Sequence, residues 1–465
     1  MLKFYNTKSH SIEEFKPIDG SNTIRMYGCG PTVYNYAHIG NLRAYVFYDL
    51  LHRYLRFKGY DVKFVMNITD VDDKTIRSSR EKGQSLRDYT TFYMNEFFKD
   101  LAIINVGKPS QVVRATDEID AMVDTIELLM QKGFAYKVPS GDIFFKISAF
   151  PEYGKMANID ARSLLSNAGG RLSDEYEKED AQDFALWKAW TEADGDVFWE
   201  TRIGKGRPGW HIECSTIAHK YLGQPFDIHT GGIDLIFPHH TNEIAQSESA
   251  YGTMFCNFFM HNDYLKVNGE KMSKSKHNFY TLHDLLNKGY NERAIRYEFL
   301  KSSYRQALDF LESNMESNKS IIDKFDNFMD RLDNANGSGW SDVDSALAKA
   351  NEDFTNAMDN DLNTPAGLAC IFELMNLINK NFDQLSKDDA QKVTDQMRRF
   401  DTVFGLLKEK TTRQLTAEEQ DIIDRRQAAR QNKDWATADA LKAELIARKI
   451  EVKDTPQGTQ VRFID

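Results

Sequence analysis

Cysteine is scarce in this sequence, with four in 465 residues at Cys29, Cys214, Cys256 and Cys370. Thiols scattered so widely build no disulfide framework, and in a reducing compartment they stand as thiols or metal ligands. No apolar run approaches the ~18 to 20 residues that a membrane span needs, so a spanning helix is excluded and no membrane partner is expected. The opening Met1-Leu2-Lys3-Phe4-Tyr5-Asn6 lacks the apolar stretch and small-residue cleavage site of a secretory signal, so the cytoplasm is the expected compartment. Positive charge is in deficit as well: the net charge is -11, which argues against a phosphate-binding surface spread over the whole chain. The deficit is not uniform. Between Arg425 and Lys453, the cations Arg425, Arg426, Arg430, Lys433, Lys442, Arg448, Lys449 and Lys453 outnumber Asp434, Asp439, Glu444 and Glu451, so the C-terminal end is locally basic.

What remains is an ordinary globular composition, 41% hydrophobic and 28% charged, in a chain too long for one core. Two to four domains are expected. Ile24 to Cys29 patterns as a buried strand, about Asn41 to Phe57 as a helix and Val62 to Ile68 as a second strand. Strand, helix, strand with short connections is the signature of a parallel α/β sheet, whose ligands sit beyond the carboxyl ends of the strands. A helix from about Asp117 to Gly133 and a strand pair across Phe134 to Ile147, turning at Pro139-Ser140-Gly141, read as an insertion. The α/β alternation then resumes with helix Trp210 to Leu222, strand Phe226 to His229, helix His240 to Ala250 and strand Phe258 to His261. Beyond Ser275 the pattern is mostly helical, with an exposed loop expected at residues 334–339. A capping box at Thr416 and Glu419, an Asp434 cap and a hairpin over Ile450 to Phe463 make a last small module.

The resulting division is a Rossmann-like first half over 1–111, an insertion over 112–205, the second half over 206–262, a loop and stem-contact region over 263–312, a helical domain over 313–407 and a C-terminal α+β module over 412–465. Two motifs lie at strand exits. His38-Ile39-Gly40-Asn41 stands where a loop becomes a helix, and a helix N-terminus presents N-H groups and partial positive charge to phosphate. Gly40 leaves room for a nucleotide base. Lys271-Met272-Ser273-Lys274-Ser275 follows Gly269, and its lysines, one short turn apart, can both reach pyrophosphate oxygens. Taken alone, the first motif reads equally as a loop histidine beside a turn glycine, and the second more often as a solvated loop.

A third constellation is metal-like. Cys29 ends the first strand, Cys214 lies in Gly209-Trp210-His211-Ile212-Glu213-Cys214, and His239 and Glu243 are four apart, on one face of a helix. These four suit zinc, although lone buried thiols are common. The adjacent His240 is expected to face away.

In this order, the two loops resemble the HIGH and KMSKS signatures of class I aminoacyl-tRNA synthetases, with Asn41 in place of the final histidine. Further segments, Asn67-Ile68-Thr69-Asp70-Val71-Asp72-Asp73-Lys74, Phe226-Asp227-Ile228-His229 and Gly231-Gly232-Ile233-Asp234, resemble the cysteinyl-tRNA synthetases over nearly the whole chain. The resemblance implies ATP with Mg2+ bound by His38, Gly40, Asn41, Asp234, Lys271 and Lys274. It implies one zinc ion on Cys29, Cys214, His239 and Glu243, with L-cysteine held near Thr69, Trp210 and His229. It also implies a monomer that reads the anticodon of tRNA(Cys) through Arg430, Trp435, Asp439 and Asp454, stacking on and hydrogen-bonding to unpaired bases. For Trp435 the residues alone leave a core position open, and for Trp210 likewise. Thr241 and Thr230 depart from the family's PHHEN and DIHGGG patterns without removing a ligand. Metal selection of the thiol removes the need for editing, and the insertion is small for an editing domain. Two rivals are a ligase joining cysteine to an amino-sugar, disfavoured by residues 412–465, and a non-catalytic tRNA-binding paralogue, disfavoured by the intact lysines and metal ligands.

Overall fold

The computed structural model describes residues 1–158, 183–272, 278–408, 415–455 and 458–463. They fall into two compact units, Met1–Leu407 and Lys408–Asp465.

The first unit is built on a five-stranded parallel sheet. Its spatial order is Cys256–Asn262, Phe226–Gly232, Thr23–Gly28, Asp61–Ile68 and Gln111–Arg114. Both faces are covered by helices, and the central strands read as nearly continuous buried runs, as parallel sheets require. The Ile39–Phe57 helix and the Trp210–Leu222 helix both follow motif-bearing loops, so the residues named from the sequence gather beyond the strands' carboxyl ends. Gly30 allows the turn after Cys29 to lie against the next strand, since a Cβ there would fall 1.6 Å from the Asn67 carbonyl oxygen.

The insertion is a five-stranded antiparallel sheet with a core of its own, formed with the Ile119–Gln131 helix. Its edges differ from those drawn on the sequence. Gln111–Arg114 pairs with Val65–Ile68 in the parallel sheet, across the 111/112 boundary, and Gly204–Pro208 belongs to the insertion sheet, across 205/206. The helices between Asn314 and Phe404 share one hydrophobic core with the parallel-sheet part of this unit. Buried Arg296 ties them together: its guanidinium donates to the carbonyls of Phe404 at 2.6 Å, Ile104 at 3.0 Å and Asn105 at 2.9 Å, and to Asp49 Oδ2 at 2.6 Å. Four acceptors for one buried cation offset the cost of taking it out of water.

The 334–339 loop is exposed, as expected, at Asn334, Asn336, Ser338 and Gly339, but it is anchored. Ala335 is buried, and the Gly337 and Gly339 N-H groups donate to the Leu385 and Gln384 carbonyls at 2.7 and 2.8 Å. Backbone pairing, which composition does not encode, holds it down.

In the second unit, Thr416 and Glu419 close the expected capping box, Asp434 caps the Trp435–Ala447 helix, and Ile450–Thr455 pairs antiparallel with Gly458–Phe463. Ile422, Ile423, Leu441, Leu445, Ile450 and Val452 form its core. No helix among the described residues is long and apolar enough to cross a membrane.

Candidate functional site

Cys29 follows the Thr23–Gly28 strand, Cys214 lies on the Trp210–Leu222 helix, His239 in the Ile236–His240 turn and Glu243 in the first turn of the Thr241–Tyr251 helix. The fold brings them together: all four are buried, and one donor atom from each lies within 4.8 Å of the others. Two sulfurs, an imidazole and a carboxylate at this spacing suit tetrahedral zinc.

Two of the four donors are held in the anionic form that a cation needs. Burial acts to raise the Cys214 thiol, but the Cys29 thiol and the His239 imidazole bring it down to about 6. Burial and the neighbouring Cys214 push Cys29 well up. Burial opposes the charge on Glu243, yet His229 and His239 hold it at about 2. Against the same burial, Glu243 and Cys214 hold His239 up at about 10. Cys214 and Glu243 are therefore anionic near neutrality, whereas Cys29 and His239 hold protons that a bound cation would displace.

His240 corrects the sequence expectation. It does not face away: its Nε2 lies 3.3 Å from Cys29 Sγ, and its Nδ1 lies 2.8 Å from His261 Nε2. Cys29, His229, His240 and Glu243 form a second set with donor atoms within 4.8 Å, overlapping the first. The reason is local. Phe237 leaves helical geometry inside the Ile236–His240 turn, so ideal-helix directions fail there. His229, named for substrate, bonds through Nε2 to Glu243 Oε2 at 2.8 Å, which orients that carboxylate. His211, given no role from sequence, meets His239 with their Nδ1 atoms 2.9 Å apart.

Trp210 is half-buried and stacks on His239, ring centroids 4.3 Å apart, so it walls the cluster instead of filling the core. Thr69 is buried, and its hydroxyl donates to Glu213 Oε2 at 2.7 Å. Burial pushes the Glu213 carboxyl well up. Sequence reasoning missed Glu213 because it sits beside a stronger signal, Cys214. Asp234 is exposed in the Ile233–Leu235 turn after the Phe226–Gly232 strand.

At the first loop, His38 caps the Ile39–Phe57 helix. Its Nδ1 accepts from the Asn41 N-H at 3.1 Å, and Asn41 Oδ1 accepts from the His38 N-H at 3.3 Å. Burial lowers the His38 imidazole to about 4. The two loops meet here: a Cβ on Gly40 would lie 2.7 Å from Met272 Cε, and the Ile39 N-H donates to the Tyr280 carbonyl at 2.9 Å. Lys271 ends the short strand Glu270–Lys271, while Lys274 lies outside the described residues.

In the second unit, Arg430 Nε lies 3.2 Å from Asp454 Oδ2, and its guanidinium is 5.6 Å from the Trp435 ring centre. Trp435 is 56% exposed, which rules out the core position. Asp439 is exposed on the same helix.

Comparison with known proteins agrees with this geometry. Residues 14–320 match the family described as tRNA synthetases class I (C) catalytic domain, 353–408 the DALR domain and 412–462 the cysteinyl-tRNA ligase anticodon binding domain. The chain is 46% identical to the cysteine-tRNA ligase of Brachyspira hyodysenteriae over 469 residues, covering 99% of this chain and 98% of that one. It is 44% identical to the cysteine-tRNA ligase of Protochlamydia amoebophila, covering 99% and 98%. Among solved structures, Mycobacterium tuberculosis methionyl-tRNA synthetase in complex with methionyl-adenylate shares the fold with a TM-score of 0.62 at 16% identity, covering 82% of this chain and 92% of that one. By sequence over its full length and by fold, the chain belongs to the cysteine-tRNA ligases, a family of class I aminoacyl-tRNA synthetases.

Proposed function

We propose that this enzyme activates L-cysteine with ATP and Mg2+, transfers it to the 3' end of tRNA(Cys), and selects the amino acid through its thiol at one zinc ion held by Cys29, Cys214, His239 and Glu243. The observation that carries this reading is the buried convergence of those four side chains at the sheet's carboxyl edge. A zinc ion there supplies a soft cation that prefers a thiolate sulfur to a serine hydroxyl. That preference matters because fit alone is weak: a size difference of one small group is worth only about 1–3 kcal/mol.

The chain's own residues do the rest by position and charge. Trp210 stacks on His239 and covers one side of the thiol site, while His229 orients Glu243. Thr69 lies at the neighbouring strand end, beside the amino-acid site. His38, neutral at physiological pH, presents an imidazole to the phosphates, with Asn41 fixing its orientation and Gly40 leaving space above the helix start. Asp234, at the sheet's carboxyl edge, contacts the adenylate. Lys271 and Lys274 stabilise the pyrophosphate as it leaves; no covalent nucleophile is required. The anticodon is read in the second unit by exposed Trp435 with Arg430, Asp439 and Asp454. The enzyme works as a monomer in the cytoplasm.

The test is cysteine-dependent ATP-pyrophosphate exchange with Cys214→Ser. Zinc content is expected to fall, and preference for cysteine over serine to drop by at least about 100-fold, since losing one thiolate ligand typically weakens a site that strongly. Full zinc content with unchanged selectivity would refute the tetrad.

A further inference from the structure

The second motif loop is held at both ends by a short segment, 309–312, that no motif marks. Strand Leu265–Val267 runs into Glu270–Lys271 through the turn Asn268-Gly269, whose φ angles of 52° and 78° are those an Asn-Gly hairpin turn requires. On its other side the same strand pairs in parallel with Leu308–Phe310. Both amides of the turn go to this third strand. The Asn268 N-H donates to the Phe310 carbonyl at 3.3 Å, and the Gly269 N-H to Asp309 Oδ1 at 2.7 Å. Beyond the loop, Tyr280 is tied twice: its hydroxyl donates to Glu312 Oε1 at 2.5 Å, and its carbonyl accepts the Ile39 N-H at the start of the first motif's helix. Beside it, Thr281 forms an antiparallel bridge with His38. Glu312 is itself fixed by Lys288 Nζ at 2.7 and 2.8 Å and by the Tyr290 hydroxyl at 2.8 Å.

The segment therefore registers the loop's entry, the loop's exit and the His38 helix against one another. Asp309 is exposed and Glu312 only partly buried, so neither carboxylate is there to fill the core. Their bonds to Gly269 and Tyr280 are charge-assisted, the stronger kind. Registration matters where catalysis is mainly positioning, because a misplacement of about 1 Å can cost roughly 100-fold in rate. We propose that Asp309 and Glu312 are positioning residues for amino-acid activation: by holding Gly269 and Tyr280 they fix the span of the loop that bears Lys271 and Lys274, and set it against the helix that His38 begins. They act through the loop and not on the substrate. This inference rests on the loop's lysines acting on the pyrophosphate.

Tyr280→Phe and Tyr290→Phe make the test in the full-length, zinc-loaded enzyme. Each deletes one hydroxyl bonded to the same carboxylate, and only the first lies at the loop's exit. In cysteine-dependent ATP-pyrophosphate exchange, Tyr280→Phe is expected to lower kcat by about 10-fold, the low end for a lost hydrogen bond to a charged group, while KM for cysteine and zinc content stay unchanged. Tyr290→Phe should remain within about twofold of wild type, a contrast that a merely structural role for Glu312 would not produce. At the entry, Asp309→Ala should lower kcat to a similar degree, and Asp309→Asn, which keeps an acceptor for the Gly269 N-H, should restore most of it. Equal losses in the two tyrosine variants, a loss carried by KM for cysteine, or an unchanged kcat in Tyr280→Phe would overturn the proposal. If Asp309→Ala does not fold, the tyrosine pair decides alone. The underlying reading is judged separately on Lys271→Ala: exchange at the wild-type kcat there would show that the loop's lysine does not act, whatever happens at Tyr280.

Discussion

Asn41 shows how one residue's departure from a family motif can be read physically. Its amide oxygen and backbone N-H close a capping box with His38. Because His38 Nδ1 accepts, the proton of the neutral ring sits on Nε2, the donor that the proposed function turns toward phosphate. Asn41→Ala removes one arm of the box. The expected cost is about 1 kcal/mol of stability, together with a rise of a few fold in KM for ATP and none in KM for cysteine, measured by pyrophosphate exchange. An unchanged KM for ATP would reduce the box to a helix start. At this scale the sequence was informative where a residue type is chemically distinctive. Cys29, Cys214, His239 and Glu243 were named from it, and the fold brings their donor atoms together. It was silent where only the local backbone decides direction. His240 turns inward because Phe237 breaks the helix before it, and Glu213 finds its partner, Thr69, 144 residues away in sequence.

Among the elements, the Leu86–Ile103 helix carries a built-in instability. Asp100 on its last turn is buried, its oxygens make no hydrogen bond, and its neighbour is half-exposed His283, with Nε2 at 3.3 Å. Burial raises its carboxyl to about 6. The unfolded chain holds this proton less tightly, with a pKa near ~3.9. The folded state is therefore favoured by the group below that value, and the contribution is lost as pH rises through about 6. Asp100→Asn is expected to stabilise the protein by about 1 kcal/mol at pH 7.5, after allowance for solvent screening. In thermal melts the gap should close as pH is lowered toward 4.5; a gap independent of pH would point to packing instead. The parallel strands, the motif helices and the C-terminal caps were legible because hydrophobic period and capping chemistry are local signals. The domain edges were not, since Gln111–Arg114 and Gly204–Pro208 find their sheets only through long-range pairing. The anchoring of the exposed 334–339 loop was hidden for the same reason, its partners being the carbonyls of Gln384 and Leu385.

For the whole molecule, the charge distribution sets a problem for nucleic-acid binding. A chain with a net charge of -11 repels a polyanion at long range, so binding must depend on local features. The Lys408–Asp465 unit has a small core of its own and an exposed Trp435 with Arg430 near its ring, the combination on which an unpaired base stacks. The Met1–Leu407 unit contains the tetrad proposed to bind the thiol and the described parts of the two loops proposed to bind ATP. A protein ending at Leu407 should therefore still exchange pyrophosphate with cysteine within about twofold of the full chain, because amino-acid activation uses nothing in the second unit. Its kcat/KM for tRNA charging should fall by roughly 10- to 100-fold, the worth of one or two stacking contacts, chiefly through KM. The salt dependence of that step should also flatten, since the basic stretch after Arg425 is gone. Trp435→Ala in the full chain should reproduce part of the tRNA effect while leaving the salt slope intact, which separates stacking from phosphate attraction. If the truncated protein charges tRNA as well as the full chain, discrimination among tRNAs must reside in the first unit, and the second would be left without a recognition role.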